Sequence, residues 1–183
     1  VLAIADASVV GNLPSLSSAD ADAVRRAVRY LYDLGHRQIA RVGGPESLAH
    51  SYIRDSAFAD VASELGMRYR CLHTDYTPET GREATKRLLA FSEHPTAIIY
   101  DNDVMALAGL GVAASQGIKV PEEISIMSWD DSLMCTAAYP NLTAMGRDVV
   151  DTGKQAAGLL LKLIGGERVG HLMEGPYELR ARA

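Results

Sequence analysis

An α/β fold built on a parallel sheet is predicted by two observations. From residue 38 onward short apolar runs alternate with amphipathic stretches, the pattern of strands joined by crossover helices. Most of the amphipathic stretches also carry helix punctuation, a capping residue at the start or a glycine at the end. The 183 residues, 48% apolar and 22% charged, make one ordinary domain or slightly more.

The elements follow in order. Val1-Leu2-Ala3-Ile4-Ala5 reads as an isolated strand ended by Asp6, and residues 12–20, rich in Ser and Pro, read as a loop. Asp20 or Asp22 opens a helix carrying Val24, Ala27, Val28, Leu31 and Leu34, and Gly35 closes it where a left-handed residue is wanted. Strands are expected at 38–43, 69–73, 96–100 and 124–129. Between the first two, Ile53, Ala57, Val61 and Leu65 recur at four-residue spacing with Phe58 and Ala62 beside them, and Gly66 stops that helix. Thr77 can cap the next helix and Pro78 suits its first turn, after which Ala84, Leu88 and Phe91 form the apolar stripe. A third helix runs from Asp103 to Gln116 with Val104, Leu107, Ala108 and Val112 facing inward. Asp148 opens the last helix, apolar over a wide face that includes Val149, Val150, Leu160, Leu161 and Ile164, and a terminal strand is expected at 177–182.

Composition excludes several classes. The 18 Lys and Arg against 23 Asp and Glu give a formal charge of −5, and the longest basic block is Arg25-Arg26, so this stretch does not grip a nucleic-acid backbone by itself. No apolar run approaches the roughly 20 residues of a spanning helix, and the apolar start has no basic residues ahead of it. Cys71 and Cys135 are too few for a disulfide framework or a zinc site, which suits a reducing cytoplasm. His50, His73, His94 and His171 have no ligand spacing to one another, so no metal is expected. Gly43-Gly44 lacks the Lys-Ser/Thr of a phosphate loop, and no Gly-x-Ser-x-Gly elbow occurs.

Ligands of open parallel sheets collect beyond the carboxyl ends of the strands. Those ends read Gly43-Gly44-Pro45-Glu46 with Arg54 on the following helix, His73-Thr74-Asp75-Tyr76, Asp101-Asn102-Asp103 and Trp129-Asp130-Asp131. Carboxylates accept from hydroxyls, Asn donates and accepts, Arg offers a fork of donors and a ring covers C–H faces, so one such rim suits a polyhydroxylated ligand. Each residue also has a plainer role. Asn102 or Asp103 can cap a helix, and Arg54 can form a surface ion pair with Asp55 or Glu46. Tyr76 can pack at a loop edge, one of Asp130 and Asp131 can cap the next turn while the other faces solvent, and His36 can make a structural hydrogen bond.

In order along the chain stand Leu34-Gly35-His36-Arg37-Gln38-Ile39-Ala40, Gly43-Gly44-Pro45 with Arg54 and Phe58, Pro95-Thr96-Ala97-Ile98, Asn102-Asp103 with Met105-Ala106, and Gly117 with Val120-Pro121-Glu122. Ile124-Ser125, Trp129-Asp130-Asp131 and Pro140-Asn141-Leu142-Thr143 complete the set. Through these the sequence resembles the effector-binding core of the LacI/GalR family of bacterial transcription regulators over nearly its whole length. The resemblance implies a three-layer, periplasmic-binding-protein-like C-terminal subdomain at 20–144. Pieces of a second, N-terminal subdomain are expected at 1–19 and 145–170, with a returning strand at 171–183. A helix-turn-helix head and most of the N-terminal subdomain would lie outside this stretch, which has no initiator Met and reads as a fragment.

The family's effector contacts carry over to Asp6, Arg54, Tyr76, Asn102 and Asp130, with His50, Trp129 and Arg147 as further candidates. Ala57 replaces the usual Gly, Trp129 replaces the commoner Phe or Tyr, and Met145-Gly146-Arg147-Asp148 stands where many members have a Gln-Pro crossover. The resemblance further implies a sugar-like effector, no cofactor and no enzymatic activity. It implies a homodimer using Leu107, Met134, Ala137 and Ala138, and operator DNA bound only through the head. Two other classes fit parts of the pattern. A sugar-binding protein of transport shares the pocket chemistry but belongs with a secretory peptide. A phosphoacceptor or phosphatase on Asp101 and Asp130 needs a strand-end lysine, which Lys86, Lys119, Lys154 and Lys162 do not supply.

Overall fold

The computed structural model describes residues 1–182. The elements are β1 (Ala3–Ile4), α1 (Ala7–Val10), β2 (Ser15–Ser17), α2 (Asp20–Asp33), β3 (Gln38–Gly43), α3 (Ala49–Glu64), β4 (Arg68–His73) and α4 (Pro78–Leu89). They continue with β5 (Ala97–Tyr100), α5 (Asp103–Ser115), β6 (Ser125–Trp129), α6 (Leu133–Ala137), β7 (Thr143–Gly146), α7 (Val149–Ile164), β8 (His171–Met173) and β9 (Glu178–Arg180).

Six strands form the main sheet in the order β4-β3-β5-β6-β7-β9, parallel except for the antiparallel edge strand β9. Side chains alternate across it. Ile39, Ala97, Ile99, Met127 and Trp129 pack with α2 and α3 on one face. Ala40, Val42, Ile98, Tyr100 and Ile126 pack with α4 and α5 on the other. The register that sets Ile39 beside Ala97 and Ile98 beside Ile126 keeps each face continuous. The result is the parallel α/β fold that the alternation of strands and helices predicts, in the three layers that the resemblance implies. A smaller parallel sheet, β1-β2-β8, lies beyond the main sheet's carboxyl edge, and the chain passes between the two sheets at residues 18–19, 147–148 and 174–177.

Helix ends follow local chemistry. Thr77 Oγ1 accepts from the Thr80 amide and caps α4, Asn102 caps α5 through the Met105 amide, and Asp148 caps α7 through the amides of Val150 and Asp151. Gly35 closes α2 at φ 100°, a value L side chains rarely adopt. His36, between α2 and β3, bonds Thr96 Oγ1 at 2.8 Å and Ser125 Oγ at 3.1 Å, tying three strand starts together.

Several expectations need correction. Residues 12–20 are not all loop: Ser15–Ser17 is the central strand of the smaller sheet, with Ser15, Leu16 and Ser17 all buried. Two serines around one leucine lack the apolar signal of a strand, and the hydroxyls are satisfied by His171 Nδ1 and the Ala5 carbonyl. Strand β7 was also not expected, and the returning strand at 171–183 is two short strands, β8 in the smaller sheet and β9 in the main one, the latter shorter than 177–182. Leu133–Ala137 is a short helix capped by Ser132. Leu34 is 58% exposed and Phe91 40% exposed, so neither belongs to a buried stripe; Arg70 covers the Phe91 ring at 3.9 Å. On α5 the residues turned inward are Met105, Ala106, Gly109 and Ala113 alongside Ala108 and Val112, while Val104 and Leu107 are only half-buried. The wide apolar face of α7 is largely exposed, Leu159 being its one buried residue.

Candidate functional site

Strands β3, β5 and β6 end side by side, and the loops that follow them open onto a cavity of about 340 Å³ between the two sheets, at the small end of the usual range for ligand pockets. The expected residues Asp6, His50, Arg54, Tyr76, Asn102, Asp130 and Arg147 all line it, joined by Asp20, Asp101, Glu174 and Tyr177.

Arg54 reaches the cavity because the buried face of α3 is polar at its start, Ser51 and Arg54, before it becomes Ala57, Phe58, Val61 and Ala62. It is not a surface ion pair. Its Nε donates to Asp20 Oδ1 at 2.6 Å, its Nη1 lies 3.6 Å from Asp101 Oδ1, and its guanidinium sits 4.4 Å from the Trp129 ring centroid. Asp101 is held in turn by Arg41, which is buried between Asp101, at 2.5 Å, and Asp55. Burial alone would push the Asp20 carboxyl up, yet the Arg54 charge and hydrogen bonds from Ser18, Arg54 and Tyr177 hold it below its ordinary value. Burial would likewise lower the Arg54 pKa, and Asp101 and Asp20 raise it instead.

Trp129 is a correction. It is 1% exposed and does not line the cavity; its ring lies beneath Arg54 and 5.0 Å from the Tyr177 ring. Strand alternation explains this, because Trp129 points into the α2/α3 layer while the next residue, Asp130, turns out at φ 67°.

Asp130 makes no hydrogen bond or ion pair through its carboxylate among the described residues. It is open to the cavity, yet the protein packed around it removes enough water to raise its pKa, against the opposing pull of Arg54 and Arg147. Asp131 has a different task from either plain role above. Its carboxylate is almost wholly covered and accepts from Arg180 and Arg182, anchoring the edge strand.

Tyr76 also stands at positive φ, 69°. Its hydroxyl bonds His50 Nε2 at 2.7 Å, and its carbonyl accepts from Asn102 Nδ2 at 3.1 Å. The ring lies against Gly44, where a Cβ would fall 1.9 Å from the Tyr76 Cζ atom. Asn102 is therefore both helix cap and cavity wall, one amide serving both. Burial and the nearby Arg54 charge lower the His50 pKa, against the opposing pull of Asp101 and Asp20.

From the smaller sheet Asp6 caps α1 through Ser8 and faces the same space. Arg147 pairs with Glu174, which also accepts from Thr152 Oγ1 at 2.7 Å, and Tyr177 donates to Asp20 Oδ1 at 3.3 Å. Sequence reading did not single out Glu174 or Tyr177 for the site. Neither follows a strand of the main sheet, so the rule that finds ligand residues at strand ends is blind to them. Asp20 was legible only as a helix start, and no group of carboxylates, histidines and cysteines capable of holding a metal ion occurs among the described residues.

The four residues predicted at an interface sit on the α5 and α6 side. Leu107 and Met134 line a shallow apolar groove with Val104 and Pro78, Ala137 is exposed, and Ala138 is half-buried against the core. No helix is long and apolar enough to cross a membrane among the described residues.

Residues 28–183 match the periplasmic binding protein-like domain family. Over 161 residues, 86% of the chain, the sequence is 33% identical to the HTH-type transcriptional repressor CytR of Escherichia coli (strain K12). It is 30% identical to the catabolite control protein A of Priestia megaterium, over the whole chain and 56% of that protein. The chain spans 47% of CytR, about half the length of the curated relatives it matches. Among solved structures, a LacI family transcriptional regulator from Bifidobacterium animalis subsp. lactis superposes with a TM-score of 0.97 at 59% identity, covering all of this chain and 67% of that one. A complex of the transcriptional regulator CelR with cellobiose superposes with a TM-score of 0.86 at 27% identity, over 93% of this chain and 54% of that one.

Proposed function

The chain belongs to the LacI family of transcriptional regulators and falls within its periplasmic-binding-protein-like effector-binding core; from that premise we propose that the cavity holds a small polyhydroxylated effector, a sugar or sugar derivative. The observation that carries this reading is the convergence of Arg54, Tyr76, Asn102 and Asp130 from separate strand ends, with Asp6 opposite, on one cavity. Donors, acceptors and a ring face then surround a ligand of sugar size, and the cellobiose held by CelR is a ligand of the same chemistry.

The smaller sheet and α7 belong to a second subdomain in this reading, and the effector bridges the two across the crossovers at 18–19, 147–148 and 174–177. Ligand bound more tightly to one arrangement of the subdomains biases that arrangement. In the whole protein the bias governs how an N-terminal head meets operator DNA. A homodimer formed through the groove of Leu107 and Met134, with Ala137 and Ala138 beside it, would transmit that bias between two heads. The relatives are transcription regulators rather than enzymes, so neither a phosphatase nor a transport sugar-binding protein is the favoured reading. A thermal-shift panel of sugars and nucleobases tests the proposal, because a ligand at 100 times its Kd adds about 2.7 kcal/mol. The expected result is a shift with at least one sugar. No shift with any sugar in a panel of common mono- and disaccharides removes the effector assignment.

A further inference from the structure

Resting on that reading of the cavity as an effector site, we propose that the effector is uncharged: a neutral sugar bearing neither phosphate nor carboxylate. The cavity wall carries five carboxylates, Asp6, Asp20, Asp101, Asp130 and Glu174, against two guanidinium groups, Arg54 and Arg147. Both guanidinium groups are already in ion pairs with lining carboxylates. Arg54 meets Asp20 at 2.6 Å and Asp101 at 3.6 Å, and Arg147 meets Glu174. Sites for phosphate or carboxylate present an Arg fork whose charge is free to meet the anion. Here an incoming anion finds compensated cations and the unpaired carboxylate of Asp130.

The remaining route to an anion site is a helix N-terminus. The α2 N-terminus carries Asp20 and Asp22, and that of α5 is closed by the Asn102 side chain with Asp103 in its first turn. Only α3, which reaches the wall through Ala49, begins with neither a side-chain cap nor an acidic residue. A helix terminus contributes about half an elementary charge, which does not offset the excess of carboxylates. His50 adds little compensation, because burial and Arg54 lower its pKa and disfavour its charged form. The same wall suits hydroxyls: Asp130 and Asp6 accept, while the guanidinium N–H groups left free on Arg54 and the second N–H of Asn102 donate.

The test is calorimetric titration of the full chain with matched sets: glucose, glucose 6-phosphate and glucuronate; galactose, galactose 1-phosphate and galacturonate; ribose and ribose 5-phosphate; cellobiose and cellobionate. The expected result is that a neutral member binds and its charged counterparts bind at least about tenfold more weakly. In Asp6→Asn/Asp130→Asn the ratio of neutral to phosphorylated affinity should fall. A charged member binding as tightly as its neutral counterpart, or an unchanged ratio in the double variant, overturns the charge inference and leaves the effector site standing. If no member binds, the sugar assignment fails and this inference with it.

Discussion

The Arg54 guanidinium lies 4.4 Å from the centroid of the Trp129 ring, and Trp129 is the one tryptophan of the chain. The indole thus sits directly beneath a cavity-lining residue without touching the cavity itself. Its other aromatic neighbour, Tyr177, donates to Asp20, the ion partner of Arg54. A ligand that draws on the free edge of Arg54 alters the field over a single fluorophore. Tryptophan emission should therefore change in intensity or wavelength on titration with a binding sugar, with the midpoint found by calorimetry. Cation–π contacts contribute about 0.5–2 kcal/mol and Trp is the best ring for them, so Trp129→Phe should abolish the signal and weaken binding severalfold. Emission that stays constant at calorimetric saturation contradicts the coupling.

Asp130 separates binding from stability. Its pKa is raised in the fold, so the group favours the fold below the ordinary carboxyl pKa and loses that contribution as pH rises through the raised value. At neutral pH, Asp130→Asn should then leave the unfolding midpoint in urea unchanged or slightly higher. Ligand affinity behaves oppositely, because the ionised carboxylate accepts from hydroxyls through both oxygens and more strongly than the protonated acid does. Affinity of the native protein should hold at neutral pH and decline as pH falls through the raised pKa, while the Asn variant binds weakly with a flat profile. A native profile as flat as the variant's argues against Asp130 as an acceptor.

Arg54 cannot be tested so cleanly, because it is structural as well. Removing its side chain strands Asp20 against Tyr177 and Ser18 alone, and loss of one partner from a buried pair costs about 3–5 kcal/mol. Arg54→Ala should lower stability by about 3 kcal/mol as well as abolish binding. The Asp20 side of the pair has a clear pH signature. Its pKa is lowered in the fold, so its contribution is present above the ordinary carboxyl pKa and disappears as pH falls through the lowered one. The stability gap between the native protein and Asp20→Asn, measured by urea unfolding, should be wide at pH 7 and close in strong acid.

These residues also mark how far the sequence could be read. Strands β3 to β6 of the main sheet were legible because runs such as those of Ile39, Ile98 and Ile126 lie between punctuated helices, whereas β7 was not, and the strand-end rule then pointed to Arg54, Asn102 and Asp130. The smaller sheet was not: Ser15–Ser17 is buried through hydroxyl bonds that leave no apolar pattern. Trp129 was misplaced because its position next to Asp130 suggests a shared role, whereas strand alternation sends neighbours to opposite sides. Glu174 and Tyr177 come from the returning segment 174–177, which joins the wall only through the tertiary path of the chain.

Gly44 offers a test of the rim that alters no ligand-facing side chain covalently. A Cβ built there falls 1.9 Å from Tyr76 Cζ and 2.2 Å from its hydroxyl oxygen, far inside contact distance, so Gly44→Ala must push the ring away. Tyr76 has little room to comply, since its backbone is held at φ 69° and its carbonyl is bound by Asn102. The displaced ring breaks the 2.7 Å bond to His50 and disturbs the cap of α5. Overpacking of this kind costs about 1–3 kcal/mol, and sugar affinity should fall with it. The cause can be isolated by a double-mutant cycle. In a Tyr76→Ala background the space is empty, and Gly44→Ala should then cost nothing further in stability or affinity. Additive losses across that cycle would falsify the contact as the origin of the effect, because independent sites add and only touching ones do not.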